Sequence, residues 1–429
     1  MIWLYRILFL PMLALSMPYY AMRMIRRGGY GRDFSHRLGF QKNLPPPAQG
    51  KKRIWIQAVS VGEVEALSSL LKLLYGDGGF EVVVTTTTST GYKILREKYA
   101  KFCYWVGIFP FDFWLSSASA WRRIKPDMCV LMEGELWPEH LHRAVSKKAP
   151  LLLLNARLSD KSFGRYSKVK FFARRIFNKF SAIACGSDFD AARFLKLGAK
   201  PEIVSATGNI KFDASTGAKL SPEEKSALKK EFGFSENSLV LLGSSTWQGE
   251  EEMLIEALKS IRQKSGADAR LLLVPRHAER RAQIREVLEK GALPFNFRTE
   301  KKSAGEGTLI YVADTTGELA RLTQAADFAF IGKSMPPHDG GQSPLDCAAA
   351  GVAMVYGPRM TNFKRMCAAL QEAQAAVRVA DEPSAVSALE NFAKDENLRR
   401  KFGQNAAAWL ASNVGASLRS FEIIKKFSK

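Results

Sequence analysis

The residues best suited to chemistry in this chain of 429 residues lie in short loops, each after an apolar run and before a helical pattern. The first is Ala58-Val59-Ser60-Val61-Gly62-Glu63, where Gly62 permits a tight turn and Glu63 opens a helix. Glu63 has two readings. It either complements the helix dipole, a contribution of about 0.3–1 kcal/mol, or acts as a general base that takes a proton from a hydroxyl nucleophile. The second loop is Glu133-Gly134-Glu135-Leu136-Trp137-Pro138, with two carboxylates astride a glycine. Glu135 suits a cap-like acceptor, and one of the pair suits the binding of a polar substrate. A glycosidase pair does not follow from separation in sequence.

The second half carries a set suited to a nucleotide. Gly243-Ser244-Ser245-Thr246-Trp247, Pro275-Arg276-His277, Gly332-Lys333-Ser334 and Gly340-Gly341-Gln342-Ser343-Pro344-Leu345-Asp346 each follow an apolar run. Amides at a helix start, joined by Arg and Lys, make a phosphate site, and Asp346 is placed to accept from ribose hydroxyls. No Walker A motif, no GxGxxG at the first strand and no Asp-x-Asp motif is present, which argues against kinases, NAD enzymes and metal-dependent sugar transfer. The five cysteines are scattered, with no spacing suited to zinc or to a disulfide framework.

Such loops need strands to hold them. Runs at Ile54–Ile56, Val82–Thr85, Met128–Met132, Leu151–Leu154, Ala182–Cys185 and Ile203–Ala206 alternate with helical stretches, among them Glu63–Leu74. After the small-residue stretch Ala214-Ser215-Thr216-Gly217 the series restarts, at Leu239–Leu242, Leu271–Val274, Leu309–Val312, Phe328–Ile331 and Met354-Val355. Alternating strands and helices predict parallel sheets covered on both faces. The expected architecture is two successive doubly wound α/β domains; a single large open sheet is the alternative. Ligands in such folds sit beyond the carboxyl ends of the strands, where these loops lie.

The net charge of +21 points to an anionic partner: nucleic acid, an anionic membrane surface or a phosphorylated substrate. Ile7 to Met22 is uncharged, with Pro11 and Pro18 inside, and is followed by Arg23, Arg26, Arg27 and Arg32. This predicts an uncleaved membrane anchor over 1–30 with the arginines on the cytoplasmic side; the alternative is an apolar helix packed on its own domain. Lys161 to Phe180 contains no acidic residue and interleaves basic and aromatic side chains. That pattern suits a single-stranded nucleic acid groove or a membrane-surface helix, and the anchor favours the membrane.

As a set, these residues resemble the bacterial 3-deoxy-D-manno-octulosonic acid (Kdo) transferases of lipopolysaccharide assembly. The likeness is carried by Ser60-Val61-Gly62-Glu63, Glu133-x-Glu135-Leu136-Trp137-Pro138, Asn155-Ala156-Arg157-Leu158-Ser159 and Gly208-Asn209-Ile210-Lys211-Phe212-Asp213. In the second half it is carried by Val274-Pro275-Arg276-His277, Asp314-Thr315-Thr316-Gly317-Glu318-Leu319, Gly340-Gly341 with Pro344-Leu345, and Gly357-Pro358 with Asn362-Phe363. The resemblance implies a GT-B fold, with two Rossmann-like domains and a cleft between them: an acceptor domain over 31–213 and a domain over 214–429 that binds CMP-Kdo.

It further implies a transferase on the cytoplasmic face of the inner membrane that moves Kdo to the 6′-hydroxyl of a lipid A precursor. Glu63 would be the base. Ser60, Gly62, Glu135 and Arg157 would serve the acceptor. Lys211, Ser245, Thr246, Arg276, His277, Lys333, Gly340, Gly341, Gln342, Ser343, Asp346 and Asn362 would serve the donor. No metal, cofactor or nucleic acid is expected. Heptosyltransferases, lipid A disaccharide synthases and non-catalytic membrane or nucleic-acid binders are the alternatives. The chain departs from the family on the donor side, with Gln342, Ser343 and Asp346 around Pro344-Leu345, and Trp247 where a His is common.

Overall fold

The computed structural model describes residues 2–26, 31–215, 217, 219–300 and 304–428. They form two compact units, Met1–Ala214 with Asn413–Lys429, and Ser215–Ser412.

In the first unit, β1 (Lys52–Gln57), β2 (Phe80–Thr86), β3 (Trp105–Ile108), β4 (Met128–Met132), β5 (Leu151–Ala156), β6 (Ala182–Cys185) and β7 (Val204–Ala206) build one parallel sheet. Its order is β3-β2-β1-β4-β5-β6-β7. Strands apolar on both faces must be covered on both sides, and the two layers divide by residue parity. Ile54, Ile56, Val82, Val84 and Val130 pack into one core layer; Trp55, Val83, Cys129, Leu131 and Leu153 pack into the other.

The second unit repeats the plan. β8 (Leu239–Thr246), β9 (Ala269–Pro275), β10 (Phe295–Phe297), β11 (Ile310–Val312), β12 (Phe328–Ile331), β13 (Ala353–Tyr356) and β14 (Ala376–Arg378) form a second parallel sheet. Its order is β10-β11-β9-β8-β12-β13-β14. Two separate sheets replace the single-sheet alternative.

Three details differ from the sequence reading. The chain leaves the first unit at the expected linker, but its last residues return. Helix Ala416–Ser428 buries Ala416, Phe421 and Ile424 in the same core layer as Ile54, so 413–429 belongs to the first unit rather than the second. Asp213 fastens this return, its carboxylate accepting from the N–H groups of Gly415 and Ser417, both at 2.5 Å. The stretch expected as one helix over Glu63–Leu74 is two, Val61–Ala66 and Ser68–Asp77, which meet at Leu67.

The third detail is the N-terminal helix, Ile2–Arg26, which is both docked and exposed. Ile2, Tyr5, Arg6, Phe9 and Leu13 are half-buried along one helical stripe, while Leu15 is 84% exposed and Met17 and Tyr19 are also exposed. The helix is thus packed on its own domain along one stripe and leaves apolar side chains exposed along the rest. The side chains of Arg23, Arg26, Arg27 and Arg32 lie outside the described residues.

Candidate functional site

A doubly wound sheet opens a crevice where its strand order reverses. In the first sheet that point lies between β1 and β4, and in the second between β8 and β12. Ser60-Val61-Gly62-Glu63 follows β1, and Glu133-Gly134-Glu135 follows β4. Ser245 is the penultimate residue of β8, and Lys333 follows β12. Glu133, Asn155, Ser245 and Lys333 all have positive φ, from 52° to 56°. For residues with a Cβ this stores about 1–3 kcal/mol each, which the surrounding hydrogen bonds must hold in place.

In the first unit, Ser60 caps the helix Val61–Ala66 by accepting from Glu63 N–H at 3.3 Å. The Glu63 carboxylate answers by accepting from Val59 N–H at 2.9 Å and Ser60 Oγ–H at 3.0 Å. The cap thus fixes the carboxylate while leaving each oxygen a second lone pair. Burial, aided by the nearby Glu133, raises the Glu63 pKa against the lowering effects of these hydrogen bonds and Lys211. Gly62 has no positive φ and nothing within 4 Å of where a Cβ would stand. No turn requires a glycine there, so its effect is to leave bare backbone beside Glu63.

Glu133 is paired with Lys211 at 2.6 Å and with Arg157 at 3.5 Å. The Glu135 carboxylate has no hydrogen-bond partner among the described residues, and burial, with repulsion from Glu63 and Glu133, pushes it up to about 7. Lys211, expected among the donor groups, lies in this first unit. Asn155 holds its segment, accepting from Ile210 N–H through Oδ1 at 3.3 Å. The cluster sets three carboxylates against two cations. That excess of negative charge suits the capture of a proton.

In the second unit the organising residue is Glu250, which the candidate residues omit. Its buried carboxylate accepts from the N–H groups of Trp247 (2.9 Å), Lys333 (2.8 Å), Ser334 (2.9 Å) and Met335 (3.3 Å). It thereby ties the loop after β8 to the loop after β12. The Lys333 ammonium lies over the Trp247 ring, 4.6 Å from its centroid. His277 meets the same ring edge-on at 5.1 Å, and Arg276 is exposed at the end of β9.

Two expected donor contacts have other employment. Thr246 is fully buried and donates to Glu251 at 2.9 Å, so it faces the interior. Gly340 and Gly341 have φ of 106° and 69°, but their N–H groups, with that of Gln342, bond to backbone carbonyls of Arg359, Lys333 and Gly332. These glycines build the loop rather than present amides to a phosphate. An added Cβ at Gly340 would stand 2.7 Å from the Asn362 amide nitrogen, and one at Gly341 would stand 2.2 Å from the Met360 sulfur. Ser343 Oγ accepts from Leu345 N–H, and Asp346 sits half-buried in the first turn of the helix Leu345–Ala350.

The signal for Glu133 was its place beside Glu135. For Asn155 it was an amide within an apolar strand. Glu250 had only its position after Gly249. Among the described residues, no group of three His, Cys, Asp or Glu side chains is placed to hold a metal ion.

Two doubly wound units in one chain, each with its polar residues at the switch point, define the GT-B class. The UDP complex of MnaA from S. aureus shares the fold at 16% identity, covering 88% of this chain and 96% of that one with a TM-score of 0.56. The UDP-GlcNAc 2-epimerase of Neisseria meningitidis does so at 12% identity, covering 87% and 100%, with a TM-score of 0.55. Residues 32–214 match the family model for 3-deoxy-D-manno-octulosonic-acid transferase.

The 3-deoxy-D-manno-octulosonic acid transferase of Haemophilus influenzae is 30% identical over 423 residues, 98% of this chain and 94% of the relative. That of Bordetella pertussis is 28% identical over 94% of each. The chain belongs to the Kdo transferase family, glycosyltransferases of lipopolysaccharide synthesis. That membership sets it apart from heptosyltransferases, lipid A disaccharide synthases and non-catalytic binders.

Proposed function

We propose that the enzyme transfers Kdo from CMP-Kdo to the 6′-hydroxyl of a phosphorylated lipid A precursor of the lipid IVA type, with inversion and without a metal. The observation that carries this reading is the Glu63 carboxylate, fixed by Val59 and Ser60 at the β1 end of the switch point, with bare backbone at Gly62 beside it. The acceptor hydroxyl attacks the anomeric carbon of Kdo, the bond to the CMP phosphate breaks, and CMP leaves with the electron pair. The hydroxyl proton passes to Glu63. A raised pKa makes Glu63 a stronger base than a solvated glutamate. Glu135 and Arg157 serve the acceptor from the same cluster.

On the donor side, Arg276 and Lys333 supply positive charge for the departing phosphate, a role that elsewhere falls to a metal. Ser245, His277, Gln342, Ser343, Asp346 and Asn362 frame the nucleotide. The N-terminal helix, long and apolar enough to cross a membrane, holds the enzyme at the cytoplasmic face of the inner membrane. There the basic excess meets both anionic lipid and a phosphorylated acceptor.

The test is an assay with pre-made CMP-Kdo and a phosphorylated lipid A precursor, read by product mass and run with and without excess EDTA. Acceptor mass should rise by Kdo units at equal rates in both. No mass gain would overturn the acceptor assignment, and loss of turnover in EDTA would overturn metal independence.

A further inference from the structure

The N-terminal helix is held to the first unit by more than apolar contact. Tyr5 Oη donates to Asp112 Oδ2 at 2.8 Å. Arg6 makes a two-point pair with Glu139, Nε to Oε2 at 2.9 Å and a terminal nitrogen to Oε1 at 2.8 Å. The Glu139 side chain is completely buried, and Asp112 is 4% exposed. Asp112 also accepts from the N–H groups of Glu139 and His140, at 3.0 and 2.9 Å, so both carboxylates belong to one network. Phe9 stacks on Phe113 with ring centroids 5.5 Å apart. A flexible tether needs none of this. Planar pairing to a buried carboxylate fixes direction as well as position.

The same network reaches a patch that the core does not cover. Directly after Asp112 and Phe113, Trp114 is 43% and Leu115 is 54% exposed, at the start of the helix Trp114–Ile124. Arg143, which also pairs with Glu139, donates to Trp114 O at 3.2 Å. Trp114 and Leu115 are therefore tied to the clamp that holds the apolar helix. Arg122, two turns on along the Leu115 face, is exposed. Tryptophan and leucine with an arginine above them suit the boundary between acyl chains and anionic headgroups.

We propose that Trp114 and Leu115, beside the clamped N-terminal helix, form a second membrane contact that seats in the interfacial layer of an anionic bilayer and sets the orientation of the first unit. This rests on the membrane attachment proposed above. Its consequence is that the helix orients the acceptor unit rather than merely raising its local concentration. The occupant is lipid, because the patch adjoins an apolar helix of which Ile2–Tyr19 is long and apolar enough to cross a membrane.

The test uses the full chain in vesicles of phosphatidylcholine and phosphatidylglycerol, with an environment-sensitive fluorophore on Leu115→Cys in a Cys103→Ser background. Lys259→Cys, exposed on the second unit, gives the water-accessible reference. The label at 115 should emit to the blue of the reference and be quenched by brominated lipid. A label at 115 as water-accessible as the reference, on protein that still floats with the vesicles, overturns this inference alone. Failure of the full chain to float overturns it together with the membrane reading. In Tyr5→Phe/Arg6→Gln the chain should still float while the label at 115 loses its quenching. Unchanged quenching would show that the clamp does not set the orientation.

Discussion

Glu63→Gln separates the two readings of Glu63, cap and base, because it preserves one and removes the other. The glutamine oxygen can accept from Val59 N–H while its amide donates to Ser60 Oγ, replacing the contacts at 2.9 and 3.0 Å. Stability should change by about 1 kcal/mol or less, the scale of one neutral hydrogen bond. The base is lost outright. General bases contribute roughly 10²–10⁴-fold, so turnover should fall by that factor, about 2.7–5.4 kcal/mol of barrier. CMP-Kdo affinity should be retained, since none of the donor groups moves.

Single-turnover transfer and nucleotide binding measured on the same preparation give both numbers. In the wild type, the acid limb of activity should lie above the usual carboxylate range, because burial raises Glu63 and a base works only above its pKa. Near-normal turnover in Glu63→Gln, with loss in Glu135→Gln, would reassign the base to Glu135. If neither substitution mattered, the reasoning about this cluster would be refuted.

Glu135 carries a stability signature of its own. Its folded pKa of about 7 is raised above the ordinary value, so the folded state binds more protons, and stability falls as pH rises from about 4.3 to 7. Glu135→Gln should flatten that fall, by on the order of 1–3 kcal/mol, in denaturant titrations across this range. Glu250→Ala strips one acceptor from four backbone N–H groups and should cost about 3–5 kcal/mol together with CMP binding, as read by melting and calorimetry. Deleting residues through Arg27 should release the enzyme from the membrane fraction. It should also lower the melting temperature, because about 1–3 kcal/mol of stabilising pairing to Asp112 and Glu139 is lost; an unchanged melting temperature would count against the clamp. Truncation before Asn413 should destabilise the first unit and leave the second cooperative, visible as hydrogen-exchange protection lost around Ile54 and not around Leu241.

The sequence by itself determined the central strands, because a strand buried on both faces must be apolar throughout. β4, β6 and β12 begin and end where the apolar runs do. The strands it did not reveal are β3, β10 and β14, all at sheet edges. An edge strand is paired on one side only and is freer to carry polar or small residues, as in Phe-Asn-Phe at β10 and Ala-Val-Arg at β14. The loops with chemical potential were legible because their residue types fit neither core nor turn. Which groups are turned inward was not.

Thr246 ends β8 and Glu250 opens the helix Glu250–Ser265, on either side of one short loop, yet one is an interior hydroxyl and the other organises four amides. That distinction depends on what β12 brings alongside β8, across a separation of more than eighty residues. Likewise, a helix start suggests an ionised Glu63. Only the packed site decides that burial and Glu133 outweigh the hydrogen bonds and Lys211 and raise its pKa. The return of helix Ala416–Ser428 to the first unit is of the same kind, because its apolar stripe fits any core. Asp213, which receives Gly415 and Ser417, shows which core it joins. Local pattern fixes what an element is; partners distant in the chain fix what each polar group can do.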